Sequence, residues 1–211
     1  MFPIRICIEG NIGSGKTTIV NIIKNNFNNN RTIFVPDTIN NWKNKELLNN
    51  FYLNTNRYAL LMELKSTSDK IKYINNINKQ ILFFSKSWMS DKYCYMKTLK
   101  ELNYILPSEF NTYNNTYELM KNSMPNIDLM IYVKNSVSNC YENIKDRKID
   151  YELNITMKFL MKLSENYELW IDSYTDSPLI VVDMQNFSEE DFINSIYEAI
   201  PEFSKIYYKS V

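Results

Sequence analysis

The chain has 211 residues, of which 45% are hydrophobic, and its 24 basic side chains are balanced by 24 acidic ones. A chain of this length and apolar content can bury a substantial core, so we expect a single domain over residues 1–211. The balanced charge argues against nucleic acid as a partner. Histidine is absent from the sequence, which removes the commonest general base and metal ligand and leaves a carboxylate as the expected base.

Cysteine usage and the distribution of apolar residues predict a soluble, cytoplasmic protein. Cys7, Cys94 and Cys140 are odd in number and lie in apolar periodic segments, which is typical of reduced core thiols. Arg5 and Glu9 interrupt the amino terminus before the apolar region of a signal peptide could form. No stretch approaches the ~20 apolar residues of a membrane span, so we expect no membrane association.

Short, continuously apolar runs alternate along the chain with segments of helical periodicity. The runs predicted as strands are 4–8, 32–35, 81–84, 127–133 and 179–182. The segments predicted as helices are 19–27, 44–52, 56–79, 88–103, 108–122, 137–147 and 152–171, with a last helix opened by Ser188. This alternation is typical of an α/β fold in which a parallel sheet is covered by helices on both faces.

The turn after the first strand fits the phosphate-binding pattern G-x-x-x-x-G-K-[ST] from Gly10 to Thr17. The only three glycines of the chain, Gly10, Gly13 and Gly15, lie in this turn, where positive φ angles let successive N–H groups point at an anion. Lys16 is expected to reach the β and γ phosphates, and Thr17 to present its hydroxyl to Mg²⁺. The residues predicted to hold the phosphates are Gly10, Asn11, Ile12, Gly13, Ser14, Gly15, Lys16, Thr17 and Thr18.

Polar residues also follow the second and third predicted strands. Ligands of open α/β sheets bind beyond the carboxyl ends of the strands, so Asp37 and the run Ser85-Lys86-Ser87 are expected beside the phosphate loop. Asp37 is a candidate general base for a hydroxyl that attacks a γ-phosphate. Its place after Pro36 suits a turn or a helix-capping acid equally well, and both interpretations stay open.

Several stretches together resemble the deoxynucleoside kinase family, in the right order and over nearly the whole chain. They are residues 9–18, residues 35–37 with Trp42, residues 83–87 with 90–93, and residues 128–133 followed by Arg147. The resemblance implies a P-loop NTPase fold with a five-stranded parallel sheet and a helical lid at about residues 145–154. It also implies transfer of the γ-phosphate of ATP to the 5′-hydroxyl of a small-molecule deoxynucleoside, with Mg²⁺, in a homodimer.

The same resemblance implies roles for individual side chains. Asp37 stands at the position of the family's catalytic glutamate, and Arg147, helped by Lys145 or Lys148, stands in the lid that closes on the phosphates. The expected catalytic set is Lys16, Asp37, Lys86 and Arg147. The residues implied at the acceptor are Tyr52 and Glu152 at the sugar 3′-hydroxyl, Trp42 and Tyr95 beside the base, and Glu63, Lys70 and Asp91 at the base edge. Taken singly, the aromatic residues suit a core and the charged ones a solvated helix face.

The chain departs from the family pattern at the end of the third strand and at the candidate general base, Asp37. The family has an acid, an arginine and a serine where this chain has Ser85, Lys86 and Ser87, so the acid that helps place Mg²⁺ is missing and lysine lacks the planar fork of arginine. Asp37 is one methylene, about 1.5 Å, shorter than glutamate. The alternatives are a catalytically weakened kinase fold that binds a nucleotide or a partner, and a nucleoside monophosphate kinase, for which the acceptor side offers only Arg57 and Lys86.

Glu63 stands where family members place a glutamine, and this bears on the choice of base. An ionised carboxylate offers only acceptors. Guanine presents two adjacent donors on its pairing edge, whereas cytosine, adenine and thymine place an acceptor next to a donor. An ionised Glu63 therefore predicts a shift toward deoxyguanosine, with Lys70 and Asp91 along the far edge of the base. The alternatives are a protonated Glu63, a pair with Lys70, or a position one helical turn away.

We predict that Asp37→Asn lowers kcat by about 100-fold or more and leaves nucleoside affinity nearly unchanged, because the amide keeps the shape of the side chain but cannot accept the proton. Steady-state kinetics and equilibrium nucleoside binding separate the two effects. A variant with wild-type kcat would show that Asp37 is a turn residue only.

Overall fold

The computed structural model describes residues 3–35, 46–77 and 80–203, and these form an alternating series of strands and helices. In chain order the elements are β1 (Ile4–Glu9), α1 (Lys16–Phe27), β2 (Thr32–Val35), α2 (Glu46–Leu53), α3 (Thr55–Asn75), β3 (Ile81–Ser85), α4 (Trp88–Ser90), a π-helical segment (Asp91–Met96), α5 (Lys97–Glu101), α6 (Pro107–Met120), a 3-10 turn (Lys121–Ser123), β4 (Leu129–Lys134), α7 (Val137–Arg147), a second 3-10 turn (Asp150–Asn154), α8 (Met157–Asp172), β5 (Leu179–Asp183) and α9 (Glu189–Ala199).

The strands form one five-stranded sheet in the order β2-β3-β1-β4-β5. Every neighbouring pair is parallel, which confirms the predicted α/β architecture. Ile8 of β1 pairs with Ser85 of β3, and Glu9 pairs with Tyr132 of β4. The carboxyl ends of β2, β3 and β1 therefore lie side by side, as the sequence predicted.

Both faces of the sheet are buried, because side chains along a strand alternate between its two sides. In β1, Ile6 and Ile8 pack with residues of α1 and α9, whereas Cys7 packs in the larger core on the other face, formed with α2 to α8. All three side chains are inaccessible to solvent. Burial on both faces explains why Ile6, Cys7 and Ile8 are consecutive apolar residues, whereas Arg5 lies in the half-buried first part of the strand.

Several boundaries differ from those predicted. The helix expected at residues 152–171 begins at Met157, because Thr156 caps it by accepting a hydrogen bond from the Phe159 N–H at 3.2 Å and a 3-10 turn precedes it. The long helix α3 ends at Asn75, and β4 begins at Leu129. The predicted helix at 88–103 contains a π-helical segment, an insertion that is frequent at functional sites.

Cys7, Cys94 and Cys140 are free and buried, as predicted for core thiols. Burial raises the pKa of all three thiols above the usual value. Within the described ranges, no helix has the length and apolar content needed to cross a membrane.

Candidate active site

The loop between β1 and α1 adopts the predicted phosphate-binding conformation. Gly10, Gly13 and Gly15 have φ angles of 147°, 78° and 106°. A Cβ on Gly13 would overlap the backbone carbonyl of Cys140 in α7, and one on Gly10 would lie 2.5 Å from the carbonyl oxygen of Val133 at the end of β4. Only glycine fits such close backbone approaches, so the loop is packed directly against the elements that follow it.

Side chains within and around the loop hold its curvature. The Lys16 ammonium donates hydrogen bonds to the carbonyl oxygens of Gly10 at 2.7 Å and Asn11 at 2.6 Å. The Asn11 amide donates to the carbonyl oxygen of Leu160 in α8 at 3.0 Å, and Asn143 of α7 donates to the Gly13 carbonyl at 2.8 Å. The Asn11 side chain therefore anchors the loop to α8. The phosphate contact predicted for Asn11 would therefore be made by its backbone N–H group.

A cleft of about 340 Å³ opens beside the loop. It is lined by Ile12, Gly13, Lys16, Thr17, Val20, Lys24, Phe34, Val35, Leu48, Tyr52, Ser85, Lys86, Arg147, Tyr151 and Glu152. Thr18 is exposed outside it. The Ser14 hydroxyl is buried and has no hydrogen-bond partner in the described part of the chain. An unused buried donor beside inward-turned glycines fits a bound phosphate group.

The exit of β3 presents Lys86 to this cleft. Lys86 has a φ of 60°, unusual for a residue with a side chain, and its backbone N–H donates to the Ile8 carbonyl at 3.0 Å. Its ammonium lies 5.2 Å from the centre of the Tyr95 ring. The local backbone turn thus aims a cation at the region between the phosphate loop and Tyr95.

Glu9 controls that turn, although the sequence analysis gave it no role. Glu9 Oε1 accepts hydrogen bonds from the backbone N–H of Ser87 at 2.6 Å and from its hydroxyl at 2.7 Å. Glu9 Oε2 accepts from the Tyr167 hydroxyl of α8 at 3.2 Å, and the carboxylate is inaccessible to solvent. The Ser87 oxygen in turn accepts from Met89 N–H at 3.1 Å and caps α4. One buried carboxylate therefore joins β1, the β3 exit and α8.

A second cavity, of about 40 Å³, continues from the cleft into the protein. Five residues predicted at the acceptor line it together: Tyr52, Glu63, Lys70, Asp91 and Tyr95. Glu63 and Lys70 lie seven residues apart on α3, and this spacing puts them on one face of the helix. That face is buried, so the expectation of a solvated helix surface does not apply to these two residues.

Lys70 and Asp91 form a buried ion pair in this cavity. Lys70 Nζ donates to Asp91 Oδ1 at 2.5 Å and to the Ser87 carbonyl at 3.4 Å. Asp91 Oδ2 accepts from the Thr67 hydroxyl at 3.1 Å, and that oxygen lies 2.8 Å from the Tyr113 hydroxyl. Because the one hydroxyl proton of Thr67 goes to Asp91, Tyr113 is the donor in the second bond. The pair is therefore fully supported by neighbouring polar groups, as a buried charge requires.

The segment after α7 covers the mouth of the cleft. Arg147 ends α7, Lys148 has a φ of 51°, and Arg147 Nη1 lies 3.7 Å from Glu152 Oε2. Within the described residues this Glu152 oxygen is buried and has no hydrogen bond. The ring of Tyr151, which the sequence analysis did not select, stacks on Tyr52 with centroids 5.8 Å apart. This contact docks the predicted lid on the acceptor side.

Lys145, predicted to contact the phosphates, is not brought into the cleft. It is exposed on α7, and its ammonium lies 4.1 Å from the centre of the Tyr141 ring. The i, i+4 spacing on one helix favours this local contact. The predicted base Asp37 and the predicted base-flanking Trp42 lie outside the described residues.

A sequence model described as "Deoxynucleoside kinase" matches residues 6–205 of the chain. The chain belongs to the deoxynucleoside kinase family. Among curated relatives it is similar to a probable deoxycytidine kinase of fowlpox virus, with 30% identity over 96% of this chain and 86% of the relative. It is also 24% identical to human deoxycytidine kinase, over 94% of this chain and 90% of that protein. A mitochondrial deoxyguanosine kinase of Xenopus laevis is 24% identical, over 90% of this chain and 83% of that protein.

The comparisons and the geometry do not favour the monophosphate kinase alternative. An acceptor phosphate would need cations at the acceptor cavity, but Arg57 is exposed and is not among the residues that line it. Of the cations that do line it, Lys70 bonds to Asp91, and the Lys86 ammonium lies over the Tyr95 ring. Among the described residues there is also no group of three or more acidic, cysteine or histidine side chains that could hold a metal ion.

We predict that Glu9→Gln lowers the free energy of unfolding by about 1–3 kcal/mol. The amide NH2 group of glutamine would face at least one of the N–H or O–H groups that now donate a hydrogen bond to the Glu9 carboxylate. Phosphorylation by this kinase should also slow by about tenfold or more, since the turn that aims Lys86 loses its anchor. Urea denaturation and steady-state kinetics give the two numbers.

The matched control is Glu165→Gln, which removes an exposed pair with Lys162 on α8 and should change stability by less than about 0.5 kcal/mol. Equal stability and equal turnover of the Glu9 variant and the control would show that Glu9 does not organise the site.

Proposed function

We propose that the protein transfers the γ-phosphate of ATP to the 5′-hydroxyl of a deoxynucleoside. The main support for this proposal is that the cleft beside the phosphate loop is continuous with the acceptor cavity. The cleft at the phosphate loop and the cavity around the Lys70–Asp91 pair share Ile12, Leu48, Tyr52 and Lys86 in their walls. A nucleoside with its base in the cavity would therefore direct its sugar toward the phosphate loop.

The cations of the cleft suit phosphoryl transfer, in which catalysis rests on positioning and on neutralising charge. Lys16 would move from the loop carbonyls to the β and γ phosphates, and Arg147 would approach from the lid. Lys86 lies between the loop and the acceptor cavity, where it would contact both the transferred phosphate and the attacking oxygen. The 5′-hydroxyl would lose its proton to Asp37 as its oxygen bonds to the γ-phosphorus and the bond to the β-phosphate oxygen breaks, which releases ADP.

The sugar end of the acceptor fits Tyr52 and Glu152. Both line the cleft, and Glu152 keeps one buried oxygen without a hydrogen bond in the described structure. A sugar 3′-hydroxyl would satisfy that oxygen. The stack of Tyr151 on Tyr52 would then hold the lid over the sugar, so that acceptor binding and lid closure support each other.

The donor phosphates are proposed to bring Mg²⁺ into the site. The Thr17 and Ser85 side chains both line the cleft and would offer it hydroxyl oxygens, ligands that a hard cation accepts. When bound, the ion would neutralise charge on the phosphates. With no acid at Ser85, most of its coordination would come from the phosphates and water.

We predict that Lys16→Ala abolishes phosphorylation and leaves the fold intact, because Lys16 neutralises phosphate charge at the edge of the cleft and is not a core residue. The measurement is ATP consumption with each of the four natural deoxynucleosides and, separately, with their monophosphates, with and without Mg²⁺. The wild type should act on deoxynucleosides only and require Mg²⁺.

Lys162→Ala, at a half-buried position on α8 that does not line the cleft, serves as the control and should keep wild-type activity. Turnover of the monophosphates would support the alternative kinase class. ATP binding with no turnover of any acceptor would support a weakened, non-catalytic kinase fold.

We also propose that the protein is a homodimer and acts in the cytoplasm. The large apolar side chains of Met161 and Leu169 on α8 and of Tyr93 are exposed in the single chain, and covering them would favour association. The free, buried cysteines suit a reducing compartment. Sedimentation velocity should give about twice the mass of one chain and a monomer for Leu169→Lys, and a monomeric wild type would contradict the proposal.

A further inference from the structure

Glu63 is a buried carboxyl group in the wall of the acceptor cavity. It is 4% exposed and lines the acceptor cavity. Among the described residues, it takes part in no hydrogen bond or ion pair, although buried carboxylates are normally paired. Its side chain lines the cavity where a base would lie.

The charged groups around Glu63 make contacts with other residues. From its own helix, Lys70 bonds to Asp91, whose other oxygen accepts from Thr67. From the β3 exit, Lys86 places its ammonium over the Tyr95 ring. From α6, Tyr113 bonds to Thr67. The nearby ion pair is therefore complete without Glu63.

An ionised Glu63 would put a second negative charge beside Asp91 in a nearly closed space. Burial is the main cause that raises the pKa of Glu63 well above its usual value, and the Asp91 carboxylate raises it further. Lys70 and Lys86 act in the opposite direction but as smaller causes. A buried acid with these neighbours is expected to hold its proton at neutral pH.

Protonation changes what Glu63 offers to a base. A carboxylate has only acceptors, whereas a carboxylic acid has one O–H donor next to one carbonyl acceptor. Cytosine and adenine present an amino donor next to a ring-nitrogen acceptor, and a neutral acid complements both atoms. A carboxylate complements only the two adjacent donors of guanine, N1–H and the 2-amino group.

We propose that Glu63 binds the acceptor base as a neutral carboxylic acid, which supplies a donor and an acceptor side by side and so acts as the equivalent of a glutamine. The proposal rests on the proposed kinase function and on the position of Glu63 in the cavity wall. It replaces the preference for deoxyguanosine that an ionised Glu63 would give. Bases with an amino donor beside a ring-nitrogen acceptor are then fully matched at this position.

The test compares wild type with Glu63→Gln, which has a donor and an acceptor at every pH. The quantity measured is kcat/KM for deoxycytidine divided by kcat/KM for deoxyguanosine. At about pH 7 the ratio should agree between the two proteins within about threefold, because both offer the same pair of groups. A wild-type ratio lower by about tenfold or more than that of Glu63→Gln would overturn the proposal, since it would mean that Glu63 is ionised.

The pH dependence of the deoxycytidine to deoxyguanosine ratio of kcat/KM tests the same assignment. Glu63 is neutral below its pKa and ionised above it, so on raising the pH the wild-type ratio can only stay constant or fall toward deoxyguanosine, while that of Glu63→Gln stays constant. A wild-type ratio that rises with pH relative to that of Glu63→Gln would contradict the assignment.

An infrared spectrum tests protonation without any turnover. The difference between wild type and Glu63→Gln at about pH 7 should contain the carbonyl stretch of a protonated carboxylic acid, and its absence would overturn the proposal. If neither protein phosphorylates any nucleoside, the kinase function fails, and this spectrum together with calorimetric affinities for the two nucleosides still decides the state of Glu63.

Discussion

The buried carboxylate of Glu9 is the interaction on which the arrangement of the site depends. It ends β1, immediately before the phosphate loop, and accepts hydrogen bonds from Ser87 after β3 and from Tyr167 of α8. Lys86 lies between the strand end and Ser87, so its left-handed backbone is fixed from both sides. The relative position of the phosphate loop and the acceptor-side cation is thus set by a short, charge-assisted network in the protein interior.

The acceptor end of the site uses buried charge in a different way. Lys70 and Asp91 neutralise each other and are held by Thr67, whereas Glu63 lines the cavity and has no hydrogen bond to another described residue. The hydrogen-bonded ion pair gives the cavity a fixed electrostatic field, and the carboxyl group of Glu63 can form a hydrogen bond with a bound ligand. Burying three ionisable groups in one small cavity costs stability, and the recognition of a polar base edge explains why such groups are placed there.

The fold could be predicted from the sequence largely because its signals are local. Apolar runs and helical periodicity located all five strands, and the glycines located the loop. Glu9 was missed as a linking residue because its partners lie 78 and 158 residues away, and no local pattern encodes that contact. The placement of Glu63 and Lys70 at the base edge was predicted from family resemblance alone, since charged residues on a helix usually lie on its solvated face. The protonation of Glu63 depends on neighbours from three elements, which only the folded chain brings together.

Phosphoryl transfer at this site requires a deoxynucleoside to lie between the Lys70–Asp91 cavity and the phosphate loop. A crystal structure with deoxycytidine and ADP tests it most directly. We expect the base to lie against Glu63, the 3′-hydroxyl within hydrogen-bond distance of Tyr52 and Glu152, and the 5′-hydroxyl to point at Lys86 and the ADP phosphates. A nucleoside bound elsewhere, or one whose 5′-hydroxyl points away from the phosphate loop, would contradict it.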